Sequence, residues 1–171
     1  MGMTSGANGL GSRTSVERSD RELVVSRTFD APARLVFEAW TRAELFQRWW
    51  VPKSAGITLL SCELDVRTGG TYRLEFAREG GGSMAFFGRY LDVVPNARIV
   101  WTNEEEGGGA VTTVTFDETD GRTRLVFSEL YPSKEALDEV FVGMEGGIPE
   151  QLEQLDALLA SLTEDAQAPS A

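Results

Sequence analysis

Eight charged residues lie within or beside stretches of strand-like spacing: Arg27, Glu63, Asp65, Arg67, Arg73, Glu75, Arg89 and Glu129. A carboxylate withdrawn from water in such a stretch has a raised pKa and can serve as general acid or base. Period-two alternation instead assigns most of them to a solvated sheet face, as cross-strand pairs. Arg27 is the exception. It alternates in phase with Leu23, Val25 and Phe29, which puts a guanidinium on the apolar face, placed to orient a polar group of a ligand. A second set is aromatic: Trp40, Phe46, Trp49, Trp50, Tyr72, Phe76, Phe86, Phe87, Tyr90, Trp101 and Phe141. Such rings either line an apolar pocket or fill a core.

What is missing narrows the chemistry further. The chain has no histidine and one cysteine, Cys62. Disulfide scaffolds, zinc sites, Ser-His-Asp triads and Cys-His pairs are therefore excluded. Cys62 reads as a small buried hydrophobe. No Asp-rich loop has calcium spacing, so neither a metal nor a cofactor is expected. The runs Gly80–Gly82 and Gly107–Gly109 lack the following helix and nearby lysine of a phosphate loop and read as hairpin tips.

At 171 residues, with 42% hydrophobic and 25% charged residues, the chain fits one globular domain. No run approaches the ~18 apolar residues that span a bilayer. Met1–Asp20 is polar and glycine-rich without an apolar core segment, and is expected to be a flexible lead; a cytoplasmic location is expected. The net charge is −11. Nine of the 27 acids but one of the 16 bases fall in Ser133–Ala171. Nucleic acid and anionic membranes are therefore not expected as partners. Glu104–Glu106 and the acidic C-terminal stretch read as solvated faces, with a docking surface for a basic partner as the alternative.

The elements that must position these residues follow from spacing. Leu23–Phe29 alternates as a strand, and Pro32 suits the first position of a helix over Pro32–Trp40. Thr41-Arg42-Ala43-Glu44 has the form of a capping box opening a second short helix that ends near Trp50. Six further strands follow, Ile57–Val66, Thr71–Ala77, Met84–Val93, Arg98–Asn103, Ala110–Phe116 and Thr123–Tyr131, separated by turn formers. Asp120-Gly121 suits a type I′ hairpin. An apolar stripe from Leu137 through Leu162 predicts a long helix over Lys134–Leu162, kinked at Pro149, with a tail over Thr163–Ala171. The fold class is α+β: a curved antiparallel sheet of six to seven strands around one long helix, with two short helices after the first strand.

Residues along this frame match a known pattern. Arg27-Thr28-Phe29-Asp30-Ala31-Pro32, Val36-Phe37-Glu38-Ala39-Trp40-Thr41, and Trp49-Trp50 before Pro52 resemble the activator of heat-shock-protein-90 ATPase-like domain. Asp65-Val66-Arg67-Thr68-Gly69-Gly70 and Phe87-Gly88-Arg89-Tyr90 ahead of Pro95-Asn96-Ala97-Arg98 extend the likeness over about Leu23–Ala160. The resemblance implies the START-like, or SRPBCC, helix-grip fold as a single domain over residues 21–162. Relatives often carry Gly-Trp in the last helix, where this chain has Gly147-Ile148 followed by Pro149.

The expectation is a non-catalytic domain that binds a small apolar or amphipathic molecule, as monomer or homodimer. Arg27, Trp40, Phe46, Trp49, Trp50, Tyr72, Phe87, Trp101, Phe141, Met144 and Ile148 would face the ligand. The resemblance also implies two alternatives: a protein-interaction module acting on a chaperone ATPase, and a cyclase- or hydrolase-like enzyme.

Overall fold

Strict alternation of buried and half-buried residues along Glu22–Phe29 sets one face of this strand against the core. The same period recurs in the strands that follow, and hairpins join them into one sheet. In the computed structural model, which describes residues 14–51, 53, 56–77, 80–104, 109–138 and 147–167, the elements run in this order: β1 (Ser15–Arg18), β2 (Glu22–Phe29), α1 (Ala33–Thr41), α2 (Ala43–Trp49), β3 (Thr58–Leu64), β4 (Thr71–Ala77), β5 (Ser83–Val94), β6 (Arg98–Thr102), β7 (Val111–Thr119), β8 (Arg122–Leu130) and α3 (Gly147–Gln167). The sheet is curved and wholly antiparallel, in the order β1-β2-β8-β7-β6-β5-β4-β3. Residues 134–138 add a helical turn after β8.

Turn chemistry explains the register. Asp120 and Gly121 adopt φ of 54° and 79°, the two left-handed residues of a type I′ turn, and β7 and β8 pair without a slip on either side. Gly88 marks a close approach: a Cβ there would lie 2.0 Å from the Thr102 carbonyl oxygen, so β5 and β6 meet there only if the residue lacks a side chain.

The inner face carries Leu23, Val25 and Phe29 of β2, Leu125 and Phe127 of β8, Val114 and Phe116 of β7, and Ile99 and Trp101 of β6, all buried. Against them pack Val36, Ala39 and Trp40 of α1, Phe46 and Trp49 of α2, and Leu152, Leu155, Leu158 and Leu159 of α3. Each fully buried Leu, Val or Phe contributes roughly 1.5–3 kcal/mol, so this layer dominates the stability of the fold.

Several sequence expectations change here. The lead over Met1–Asp20 contains an eighth strand: Ser15 pairs with Ser26 and Arg18 with Leu23. All four residues of β1 are exposed, so no hydrophobic pattern marks it. It is held by main-chain pairing to the β2 edge, by the Arg18–Asp138 ion pair, and by the hydrogen bond from Arg27 Nη1 to Thr14 Oγ1, at 3.1 Å.

The capping box does not form. Thr41 is the last residue of α1, and its hydroxyl donates back to the Phe37 carbonyl at 2.9 Å, while Arg42 occupies the N-cap of α2. A bond to the preceding turn competes for the same hydroxyl. The N-terminus of α1 is capped from a distance instead, by Glu118 Oε1 of β7, which accepts from the Ala33 N–H at 2.9 Å.

Pro149 is the third residue of α3. The kink expected at Pro149 involves the carbonyl of Glu145, which lies outside the described residues. The helix also continues past Leu162 to Gln167, with the Thr163 hydroxyl bonded to the Leu159 carbonyl. Residues 139–146, where the expected helix is richest in glycine, lie outside the described residues.

Candidate functional site

Trp40 is the hub of the inner layer. Its ring lies 4.8 Å from that of Trp49, 5.8 Å from Trp50, 5.9 Å from Trp101, 6.2 Å from Phe127 and 6.4 Å from both Phe46 and Phe116. Trp49 and Trp50 are adjacent in the chain and 77° apart in plane, yet both meet Trp40. Trp50 is half-buried and stacks on Phe46 at 4.7 Å. The loop that follows them is tied to α3 by two glutamines one turn apart. Gln154 Nε2 donates to the carbonyls of Trp49 and Val51, at 3.0 and 2.9 Å, and its Oε1 accepts from the Lys53 N–H at 2.9 Å. Gln151 donates to the Trp50 carbonyl.

The two buried indoles differ in one respect. Trp49 Nε1 donates to the Ala39 carbonyl at 2.9 Å, whereas Trp40, 3% exposed, has no acceptor for its N–H among the described residues. A buried donor left unmet costs about 1–3 kcal/mol.

Strand register organises the polar groups of this face into two rows. The first runs Tyr90, Trp101, Thr112, Glu129, Leu23 across β5, β6, β7, β8 and β2. Glu129 accepts hydrogen bonds from the Thr112 hydroxyl at 2.7 Å and the Tyr131 hydroxyl at 2.5 Å. Asn103 Nδ2 in turn donates to Thr112 Oγ1 at 2.9 Å, and the Tyr72 hydroxyl donates to the Thr102 carbonyl at 2.8 Å. Thr112 is wholly buried. The second row runs Arg27, Leu125, Phe116. Trp40 touches Trp101 in one row and Phe116 in the other.

Two titratable groups on this side of the sheet, Tyr90 and Cys62, are held neutral. Burial pushes the Tyr90 hydroxyl well above the ordinary tyrosine range. The half-buried Cys62 thiol is pushed up to about 11 by burial, so little thiolate forms at neutral pH.

Of the residues singled out from sequence, Arg27, Trp40, Phe46, Trp49, Tyr72 and Trp101 are buried in this layer, and Trp50 lies at its margin. Phe87 is a correction. It is 37% exposed and pairs with Arg73 on the outer face, because alternation along β5 gives the inward positions to Phe86, Gly88 and Tyr90. Phe141 and Met144 lie outside the described residues, as does the side chain of Ile148, whose backbone is in the first turn of α3. Glu129 is also reassigned, from the solvated face to the inner one. The signal was present: Leu125, Phe127, Glu129 and Tyr131 are in phase. Thr112, in phase with Val114 and Phe116, carried the same signal, whereas Asn103 carried none.

A curved antiparallel sheet with two short helices after its first long strand and one long helix across its inner face is the helix-grip architecture of the START-like, or SRPBCC, superfamily. Solved structures share it. A protein from Rhodobacter sphaeroides superposes with a TM-score of 0.79 at 23% identity, over 87% of this chain and 99% of that one. One from Mycobacterium smegmatis gives 0.74 at 24%, over 87% and 98%. An AHSA1-like protein from Aeromonas hydrophila gives 0.68 at 15%, over 86% and 99%.

Within that superfamily, residues 30–160 match the family described as Activator of Hsp90 ATPase homolog 1-like protein, and the chain belongs to it. No curated protein matches the sequence. Among the described residues, no helix is long and apolar enough to cross a membrane.

Proposed function

We propose that this domain binds a small amphipathic molecule between the inner face of the sheet and α3, without catalysing a reaction on it. The observation that carries this reading is the N–H of Trp40, unmet among the described residues, at the centre of the aromatic layer. An oxygen acceptor on an otherwise apolar ligand would satisfy it, and the surrounding rings would bury the rest. The hydroxyls of Thr112 and Tyr131 are both engaged with Glu129, and the Cys62 thiol is held neutral. A thiol kept neutral is not an activated nucleophile, which favours binding over catalysis at Cys62.

The test is native mass spectrometry of protein purified without denaturation, followed by tryptophan-fluorescence titration with the molecule recovered. The proposal expects a bound mass and a fluorescence change that Trp40→Phe abolishes or weakens. A clean apo mass, with no response to apolar probes, refutes it. A second reading, modulation of a chaperone ATPase, is favoured by the family match alone. Stimulation of a purified chaperone's ATP hydrolysis by this domain would select it.

A further inference from the structure

Arg27 is a buried cation with few partners. The residue is 5% exposed and sits on the inner face between β2 and α3. Its guanidinium carries five N–H donors. Among the described residues, Nη1 donates to Thr14 Oγ1 at 3.1 Å, and Nη2 lies 3.4 Å from Asp156 Oδ2. The Phe29 ring packs 5.5 Å from the guanidinium carbon. Nε, also buried, has no acceptor among the described residues. Charge-assisted N–H···O bonds close to about 2.7–2.9 Å when made well, so the Asp156 contact is a loose one. Asp156 itself is 38% exposed and has water as an alternative partner.

We infer that Arg27 is the anchor for the carboxylate head of an acidic amphipathic ligand, an inference that rests on the binding reading above. Three features select a carboxylate. A guanidinium edge presents parallel donors that match two carboxylate oxygens. A full negative charge offsets the desolvation of a buried cation better than a neutral carbonyl does. The inner face also has a polarity that fixes the ligand's direction. Arg27 stands opposite Leu125 and Glu129 opposite Leu23, four residues further along β8, which is about 13 Å at strand rise. An anionic head is thus drawn to the Arg27 end and repelled from the Glu129 end. The apolar tail would then run toward Phe127, midway between Leu125 and Glu129 on β8, whose ring meets that of Trp40 at 6.2 Å.

The experiment compares decanoate with 1-decanol at pH 8 by fluorescence titration, on wild type, Arg27→Gln and Asp156→Asn. Wild type should bind decanoate about tenfold more tightly than decanol. Arg27→Gln should reduce that ratio to within about threefold. Asp156→Asn removes the competing carboxylate from an exposed position and should raise the ratio by about threefold or more. If Arg27→Gln does not fold, the Asp156→Asn arm decides. Equal binding of acid and alcohol by wild type overturns the carboxylate anchor and leaves the binding proposal standing. So does an Asp156→Asn ratio no higher than that of wild type. Binding of neither probe overturns the pocket reading and this inference with it.

Discussion

Replacing Gln154 with Met tests how α3 is held against the loop that carries Trp49 and Trp50. Methionine keeps the length of the side chain and its helix propensity, and removes only its polar atoms. Three hydrogen bonds are lost together: to the carbonyls of Trp49 and Val51 and from the Lys53 N–H. At about 0.5–1.5 kcal/mol net for each, the sum is roughly 1.5–4.5 kcal/mol. The site is part-buried at the carbonyls and exposed at Lys53, so water recovers some of the loss. The expected cost is about 2 kcal/mol, a fall of ~4–8 °C in melting temperature for a chain of this size. Urea unfolding gives the free energy, and calorimetry gives the midpoint. Gln151→Met removes one bond, to the Trp50 carbonyl, and should cost about 1 kcal/mol. A loss below ~0.5 kcal/mol for Gln154→Met, less than one hydrogen bond, would refute the glutamine clamp as the tie between loop and helix.

Removing residues 1–18 strips β1 from the β2 edge and the Thr14 hydroxyl from Arg27; urea unfolding should show a loss of ~1–3 kcal/mol. Gly88→Ala forces a Cβ to within 2.0 Å of the Thr102 carbonyl oxygen, and circular dichroism should show a destabilised or unfolded protein. Phe87→Ser on the outer face should shift stability by no more than about 0.5 kcal/mol in the same assay. The Cys62 thiol, raised from 9.0 to about 11, resists ionisation in the folded state. Its contribution to stability is therefore complete below about pH 9 and is lost as the pH climbs toward 11. Alkylation of Cys62 by iodoacetamide should accordingly be slow at pH 7 and accelerate toward pH 11. Glu104 runs the other way: hydrogen bonds from the Thr102 hydroxyl and Arg89 hold its pKa down, so its contribution disappears in acid. Thr102→Val should raise the Glu104 pKa measured by NMR titration.

Local pattern carried most of the architecture. Alternation in β2 and β8, the Asp120-Gly121 turn and the apolar stripe of the last helix each act over a few residues. Such short-range chemistry is written directly in the chain. Arg27 was legible for the same reason, since its phase with Leu23 and Val25 fixes its face whatever the rest of the fold does. The inward role of Glu129 was equally in phase, but a carboxylate between apolar neighbours reads as exposed until a partner is known. Tyr131 is two residues away, but Thr112 comes from β7, and only the folded register brings it to Glu129.

The sequence by itself determined the fold class, the inward placement of Arg27 and the aromatic layer, because periodicity and side-chain volume decide which face of each element is buried. Tertiary structure decided the rest. β1 has no hydrophobic residue that must be hidden, and it forms because β2 offers a free edge. The α1 N-terminus takes its cap from Glu118, 85 residues away, rather than from a neighbour. Phe87 and Phe86 are chemically alike, and the phase in which β5 pairs with β4, with Phe87 opposite Arg73, decides which of the two faces outward. Trp40 and Trp49 are alike as well, but Trp49 of α2 finds the Ala39 carbonyl of α1, whereas Trp40 has no acceptor among the described residues.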